Sequence, residues 1–299
     1  MTVVLAEADI APLLSYDALI PAMEKALAAF SAGQVIQPVR NMLTIEEEKR
    51  YLGVMPAVTD NAMGAKLVSF YPGNAGSPLP THLATIALFE PSTGQPLAFL
   101  DGRLITEMRT AAVSAAVTKY AAKPDARVLA LLGSGVQADA HLDALKQVRP
   151  IDEVRVWSRT KAHAEAFAER HGAQAMDAEA AVRGADVIVA ATNALEPVLR
   201  GAWLADGVHV NTVGSPRPTW RELDDDAMAN TLIADSRDAV AQESGDVILS
   251  GATVFAEAGE IFTGDKQVPP GATTVFKSVG LAVEDIATAR LVYDAWESR

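Results

Sequence analysis

The sequence predicts a two-domain α/β protein, in which a Rossmann-type, doubly wound parallel sheet is joined to a smaller α+β domain. Two observations carry this. Beyond residue 120, short apolar strands alternate with helical patterns, the rhythm of βαβ units and therefore of a parallel sheet. Before it, strand-like runs separated by turn signals read as an antiparallel meander. A chain of 299 residues, 49% hydrophobic and 21% charged, is long enough for two cores of ordinary composition. The division is expected as 1–120 with a returning C-terminal helix, 280–299, for the smaller domain, and 121–279 for the parallel-sheet domain.

The elements follow in order. Residues 16–32 have helical spacing, with Leu19, Met23, Leu27 and Phe30 on one side. Strands are expected at YLGVMPAV, AKLVSFY and LATIALF. The stretch FEPSTGQPLAFLDGRLI places Ser-Thr-Gly and Asp-Gly turns between apolar runs. A helix is predicted from Thr106 to Ala122 and ends before Pro124. Parallel strands are then predicted at RVLALLG, EVRVWS, DVIVAAT, GVHVNTVG and TLIADS. The last helix, near 280–298, is expected to pack back on the first domain.

Composition excludes several classes of function. The net charge of -13 gives a surface that repels phosphate backbones, so nucleic acid is not an expected partner. With no cysteine there are no disulfides, thiolate metal sites or cysteine nucleophiles. The five histidines show no metal-ligand spacing, so no metal is expected. The N-terminal segment MTVVLAEADI lacks the basic start of a signal peptide, and no apolar run approaches the ~18 residues of a membrane span. A cytoplasmic location is the expectation.

The sharpest motif is Gly133-Ser134-Gly135-Val136-Gln137-Ala138, a G-x-G-x-x-A turn between the predicted strand Val128–Leu132 and a helical pattern over 137–148. In that setting Gly133 permits a tight turn, Gly135 lets the backbone approach a pyrophosphate, and Ala138 allows close helix–strand packing. Free N–H groups of Val136, Gln137 and their neighbours would face the phosphates. A nicotinamide dinucleotide is the expected cofactor. At the end of the second strand, where an NAD site usually has an acid on the ribose hydroxyls, the residues are Ser158-Arg159-Thr160. An arginine and two hydroxyls suit a 2′-phosphate, so NADP(H) is favoured and NAD(H) stays open. Read blandly, Ser158 or Thr160 caps the next helix and Arg159 is solvated.

Three cations of the smaller domain are candidates for an anion site. Lys66 lies in the apolar run AMGAKLVSF. It is either a desolvated lysine suited to proton transfer or a strand lysine pointing to solvent. Arg40 could clamp a carboxylate in bidentate fashion or lie on the surface. Arg109 falls in the first turn of the predicted helix, where a cation opposes the macrodipole, a hint of a bound anion. His82 is either a satisfied histidine or a proton carrier.

These residues also carry a resemblance. Met63–Asn74, Leu79–Phe89, Leu100–Tyr120, GSGVQA and Val275–Asp285 are similar to the ornithine cyclodeaminase/mu-crystallin family over essentially the full length of the chain. The resemblance implies a homodimer, a nicotinamide cofactor and small imino- or amino-acid substrates. By it, Arg40, Lys66 and Arg109 match positions that hold the substrate carboxylate, and Lys66 also matches a proposed proton-transfer lysine. Arg109, Thr81 and Ser278 match positions near the cofactor. The smaller domain would then hold substrate and dimerise, and the parallel-sheet domain would bind the dinucleotide.

One segment separates the branches of the family. Cyclodeaminases carry G-x-D-x-P-G-K after the fifth strand, the Asp acting on the substrate amine. Here the Asp position is Pro216 and the Lys position Trp220. Asp224 or Asp225 could replace that acid, though both read as lying along a helix. The run 217–225 instead resembles the mu-crystallin branch, which implies NADPH-dependent reduction of cyclic ketimine carboxylates of the pyrroline- or piperideine-2-carboxylate type. The other readings are ornithine cyclodeamination and non-catalytic, NADP-gated binding of a small molecule such as a hydrophobic acid.

Overall fold

The computed structural model describes residues 2–47, 49–74 and 76–299. They form two compact units, Met1–Arg109 with Leu281–Arg299, and Thr110–Gly280.

The first unit is built on a six-stranded sheet. Its strands are β1 (Val3–Leu5), β2 (Asn41–Glu46), β3 (Arg50–Val58), β4 (Met63–Phe70), β5 (His82–Phe89) and β6 (Pro96–Asp101). The order is β1-β6-β5-β4-β3-β2, antiparallel from β2 to β6, with β1 added parallel to β6. The Ser-Thr-Gly turn joins β5 to β6 as expected, whereas Asp101-Gly102 leads into a helix instead of a hairpin, and the sequence reading missed β1 and β2. One face is buried, because alternate residues such as Met55, Lys66, Ile86 and Leu100 fall on it in register. The C-terminal helix Ala282–Glu297 packs on β3, β4 and β5 and on helix Tyr16–Ser31. Its start is tied by Val283, whose N–H donates to Gln37 Oε1 at 2.7 Å. The opposite face is exposed yet apolar, with Val4, Leu43, Leu67, Leu83 and Phe99 all on it.

Helix Arg103–Ala121 starts three residues earlier than predicted. Asp101 accepts the Arg103 N–H at 2.8 Å, and the Arg103 side chain binds Glu7 and Glu107, which fixes the first turn there. Arg109 therefore lies beyond that first turn, and the macrodipole argument for an anion at Arg109 is overturned.

The second unit is a wholly parallel eight-stranded sheet flanked by helices. Its strands are β7 (Val128–Leu132), β8 (Glu153–Trp157), β9 (Gln174–Ala175), β10 (Val187–Ala190), β11 (His209–Thr212), β12 (Thr231–Ala234), β13 (Val254–Glu257) and β14 (Thr274–Lys277). The order is β13-β12-β14-β11-β10-β7-β8-β9. The reversal of strand order between β7 and β10 is the switch point at which such sheets bind ligands. Strands β10, β11 and β14 are buried throughout, as expected of a sheet covered on both faces. The sequence reading missed the two-residue β9 and the four-residue β13 and β14, which include Glu257 and Lys277. No described helix is long and apolar enough to cross a membrane.

Candidate active site

The glycine-rich turn lies between β7 and helix Val136–Lys146. Gly133 has φ of +120°, and a Cβ there would meet Ala191 O at 2.4 Å, so only glycine lets β7 and the loop after β10 come this close. Gly135 caps the helix in an extended conformation, and a Cβ on it would meet open space. Ala138 is buried. Among the described residues, the N–H groups of Ser134, Gly135, Val136 and Gln137 make no hydrogen bond, and Gln137 Oε1 is buried without one. Unpaired donors at a helix start beside an empty approach fit a dinucleotide pyrophosphate.

At the end of β8, Arg159 and Thr160 are exposed and Ser158 is half-buried. Thr160 is the N-cap of helix Lys161–His171, yet its side chain makes no cap bond. Ser158 and Arg159 make no side-chain hydrogen bond among the described residues. Thr160 thus holds the cap position and Arg159 is exposed, as the bland reading has it, but no side-chain cap bond forms and the three polar side chains make no hydrogen bond among the described residues.

In the first unit, Lys66 is buried rather than solvent-facing. Its Nζ lies 2.6 Å from Asp285 Oδ2 and 3.5 Å from Thr106 Oγ1. Asp285 turns its other oxygen to Arg109 Nε at 3.0 Å, and Arg109 Nη1 reaches Glu284 Oε2 at 2.6 Å. Arg40 is half-buried and close enough to act on the Lys66 charge. Burial, opposed by Asp285 and reinforced by Arg109 and Arg40, lowers the Lys66 pKa to about 8. The fold thus gathers Lys66 and Arg109 with two buried carboxylates, Asp285 and Glu284. Thr81 Oγ1 shares a hydrogen bond with His82 Nδ1 at 3.2 Å, and the His82 ring stacks on Phe70. His82 therefore reads as a satisfied side chain.

Sequence reasoning missed Asp285 and Glu284, because acids in the first turn of a helix are ordinary. It also missed a buried network below the Gly214–Trp220 loop. Glu222 accepts from the Thr192 N–H and hydroxyl, from the Thr212 hydroxyl and from the Gly214 N–H, at 2.6–2.9 Å. Burial pushes its carboxyl upward. Lys277 Nζ donates to Gly214 O and pairs with Asp246, each at 2.8 Å. Asp235 accepts from the Ser278 hydroxyl at 2.9 Å and from the Val279 and Gly280 N–H groups at 2.7 Å. Ser278 thus donates its proton inward and keeps its lone pairs for a donor. Ser215, in the same loop, has φ of +50° and is held by its hydroxyl bond to Ala194 O at 2.7 Å.

The expectation that both Asp224 and Asp225 lie along a helix holds for Asp225, which opens a short helix, and is corrected for Asp224. Asp224 is the N-cap of the short helix Asp225–Met228, and its side chain accepts from Ala227 and Gly201. Asp225 pairs with Arg221 at 2.6 Å.

The chain is similar to proteins of known family and fold. The sequence model of the ornithine cyclodeaminase/mu-crystallin family matches residues 1–299. The ketimine reductase mu-crystallin of Macropus fuliginosus is 48% identical over 290 residues, covering 94% of this chain and 92% of that protein. The Δ1-pyrroline-2-carboxylate reductase of Thermococcus litoralis, solved with NADH and L-proline, superposes with a TM-score of 0.94 at 35% identity, covering 99% of this chain and 97% of its own. An archaeal alanine dehydrogenase dimer with bound NAD also reaches a TM-score of 0.94, at 31% identity, covering 99% and 96%.

Proposed function

Since the chain belongs to the ornithine cyclodeaminase/mu-crystallin family, we propose that it reduces cyclic ketimine carboxylates, of the pyrroline- or piperideine-2-carboxylate type, to cyclic amino acids. The observation that carries this over cyclodeamination is the state of the acids around the Gly214–Trp220 loop. Pro216 has no group to move a proton. Glu222 is sealed under four donors, Asp224 caps a helix and Asp225 holds Arg221. Glu222 and Asp224 are thus committed to their donors and Asp225 lies out on an exposed ion pair, so no acid stands at position 216 to take a proton from a substrate amine, a step that reduction of a preformed imine does not need.

In this reading the first unit binds substrate and the second binds the dinucleotide. Arg40 and Arg109 hold the carboxylate through charge-assisted hydrogen bonds. Lys66, buried with a pKa of about 8, is matched to proton donation near neutrality and supplies the imine nitrogen. Gly133 to Ala138, with Thr81 and Ser278, hold the cofactor, which when bound supplies the hydride. The uncommitted Ser158, Arg159 and Thr160 support a 2′-phosphate, and hence NADPH over NADH. The exposed apolar face with Val4, Leu43, Leu67, Leu83 and Phe99 supports a homodimer, because covering it removes continuous apolar area from water.

Two matched assays test the reaction. One follows NADPH consumption with Δ1-pyrroline- and Δ1-piperideine-2-carboxylate. The other follows proline and ammonia from ornithine with NAD. Turnover in the first and silence in the second are expected. Proline formation with inert imines would overturn the proposal, and silence in both with NADPH still bound would favour a ligand-binding role.

A further inference from the structure

We propose that Asp285 is a positioning residue that holds Lys66 as the proton donor and ties it to the carboxylate-binding Arg109. The proposal rests on the ketimine-reductase reading. Its ground is the bridge itself. One Asp285 oxygen lies 2.6 Å from Lys66 Nζ and the other 3.0 Å from Arg109 Nε, and the carboxylate is fully buried. No other acid has a salt bridge to Lys66 among the described residues.

The charged groups that face Lys66 are few. Helix Ala282–Glu297 brings Asp285, with Glu284 behind it on Arg109, and helix Arg103–Ala121 brings Arg109 and the Thr106 hydroxyl. The segment before β2 brings Arg40. On the sheet, its cross-strand neighbours are Met55 and Ile86, which carry no charge. Two cations and the loss of solvent thus favour a neutral amine, and Asp285 is the one charged group in contact, among the described residues, that favours the ammonium. Without it, less of Lys66 would carry a proton at neutral pH.

The reaction needs that proton. With hydride supplied to the ring C=N carbon by the bound reduced dinucleotide, the ring nitrogen would take a proton from Lys66 Nζ. The C=N π bond becomes one C–H and one N–H bond, and the neutral lysine regains its proton from water. Holding the donor and the carboxylate clamp on one carboxylate also fixes the distance between them. A substrate gripped by Arg109 then has its nitrogen presented to Lys66 in a set geometry.

The test compares the wild type with Asp285→Asn, using two readouts. The first is kcat/KM for Δ1-piperideine-2-carboxylate against pH. The second is calorimetric binding of pyrrole-2-carboxylate, a planar ring acid that cannot be reduced in the same way, against pH. An opposite charge in contact shifts a pKa by about 1–3 units. The basic limb of both profiles is therefore expected to move at least about one unit toward acid in the variant, with thermal unfolding still cooperative. Should Asp285→Asn not fold, Asp285→Ser, whose smaller side chain leaves room for water, carries the same comparison. A folded variant with the wild-type limb in both profiles overturns the proposal. So does failure of both variants to fold, which would make Asp285 a purely structural residue. A wild type inactive toward both imines would instead defeat the ketimine-reductase reading, and the two failures are thereby distinguished.

Discussion

Alanine at the two glycines of the 133–138 turn should separate folding from binding. At Gly133 the new Cβ would lie 2.4 Å from Ala191 O, a contact with backbone that cannot rotate away, at a φ of +120°. Backbone strain of about 1–3 kcal/mol and overpacking of about 1–3 kcal/mol add to a loss of roughly 2–6 kcal/mol. That is a large part of the ~5–15 kcal/mol of an ordinary domain. At Gly135 nothing lies within 4 Å of the new Cβ, and its φ of -90° suits alanine. There the gain of about 0.4–1 kcal/mol from a stiffer unfolded chain offsets the weaker capping by alanine, typically ~1 kcal/mol. Stability should change by less than about 1 kcal/mol. The methyl group would, however, fill the approach to the free N–H groups and weaken NADPH at least ~10-fold, or about 1.4 kcal/mol. Urea unfolding and calorimetric titration with NADPH measure the two effects. The reasoning is refuted if Gly135→Ala binds NADPH as the parent does, or lowers the unfolding midpoint as much as Gly133→Ala.

Three other outcomes are expected. Arg159→Asp should reverse the ratio of kcat/KM for NADPH and NADH, and a parent that prefers NADH would contradict the 2′-phosphate assignment. Arg40→Ala should raise KM for a ketimine acid ~30-fold, the loss of about 2 kcal/mol from a charge pair, while NADPH affinity measured by fluorescence titration stays put. Burial lowers the pKa of His141 to about 4 and of His209 to about 3, so both are neutral in the folded protein where the unfolded chain, near 6.5, binds protons. Their contribution to stability is complete above pH 6.5 and is lost as pH falls toward 4, on the order of 3 kcal/mol each. Glu222 and Asp235, raised by burial, act in the opposite sense above their ordinary range. The readout is therefore the difference between parent and His141→Asn in urea midpoint from pH 7 to 5, where the variant should show the shallower slope.

Much of this protein is legible along the chain because its signals are local. The G-x-G-x-x-A turn needs only the φ of Gly133, the open side of Gly135 and the small Ala138, and all three belong to one strand–turn–helix. The alternation of β3 and the continuous apolar runs of β7 and β10 depend on which faces are covered, which periodicity records. Lys66 stood out because a lysine among apolar residues is unusual in any fold.

What the sequence left open are the pairings between segments far apart. Whether Lys66 faced solvent or core turned on Asp285, 219 positions away, and nothing near either residue records that they meet. Arg109 drew notice for its place in a helix turn, but its partners Glu284 and Asp285 explain it, and the turn itself begins at Arg103. Glu222, Asp246 and Lys277 look like surface charges in sequence and are buried together in the second unit. A buried charge is tolerable only when its donors and counter-charge are in place, and those are brought together by strand order and helix packing. The sequence by itself determined the fold class, the dinucleotide turn and which cations to examine. The tertiary structure decided which carboxylates hold them, because burial and ion pairing belong to the folded arrangement of distant segments.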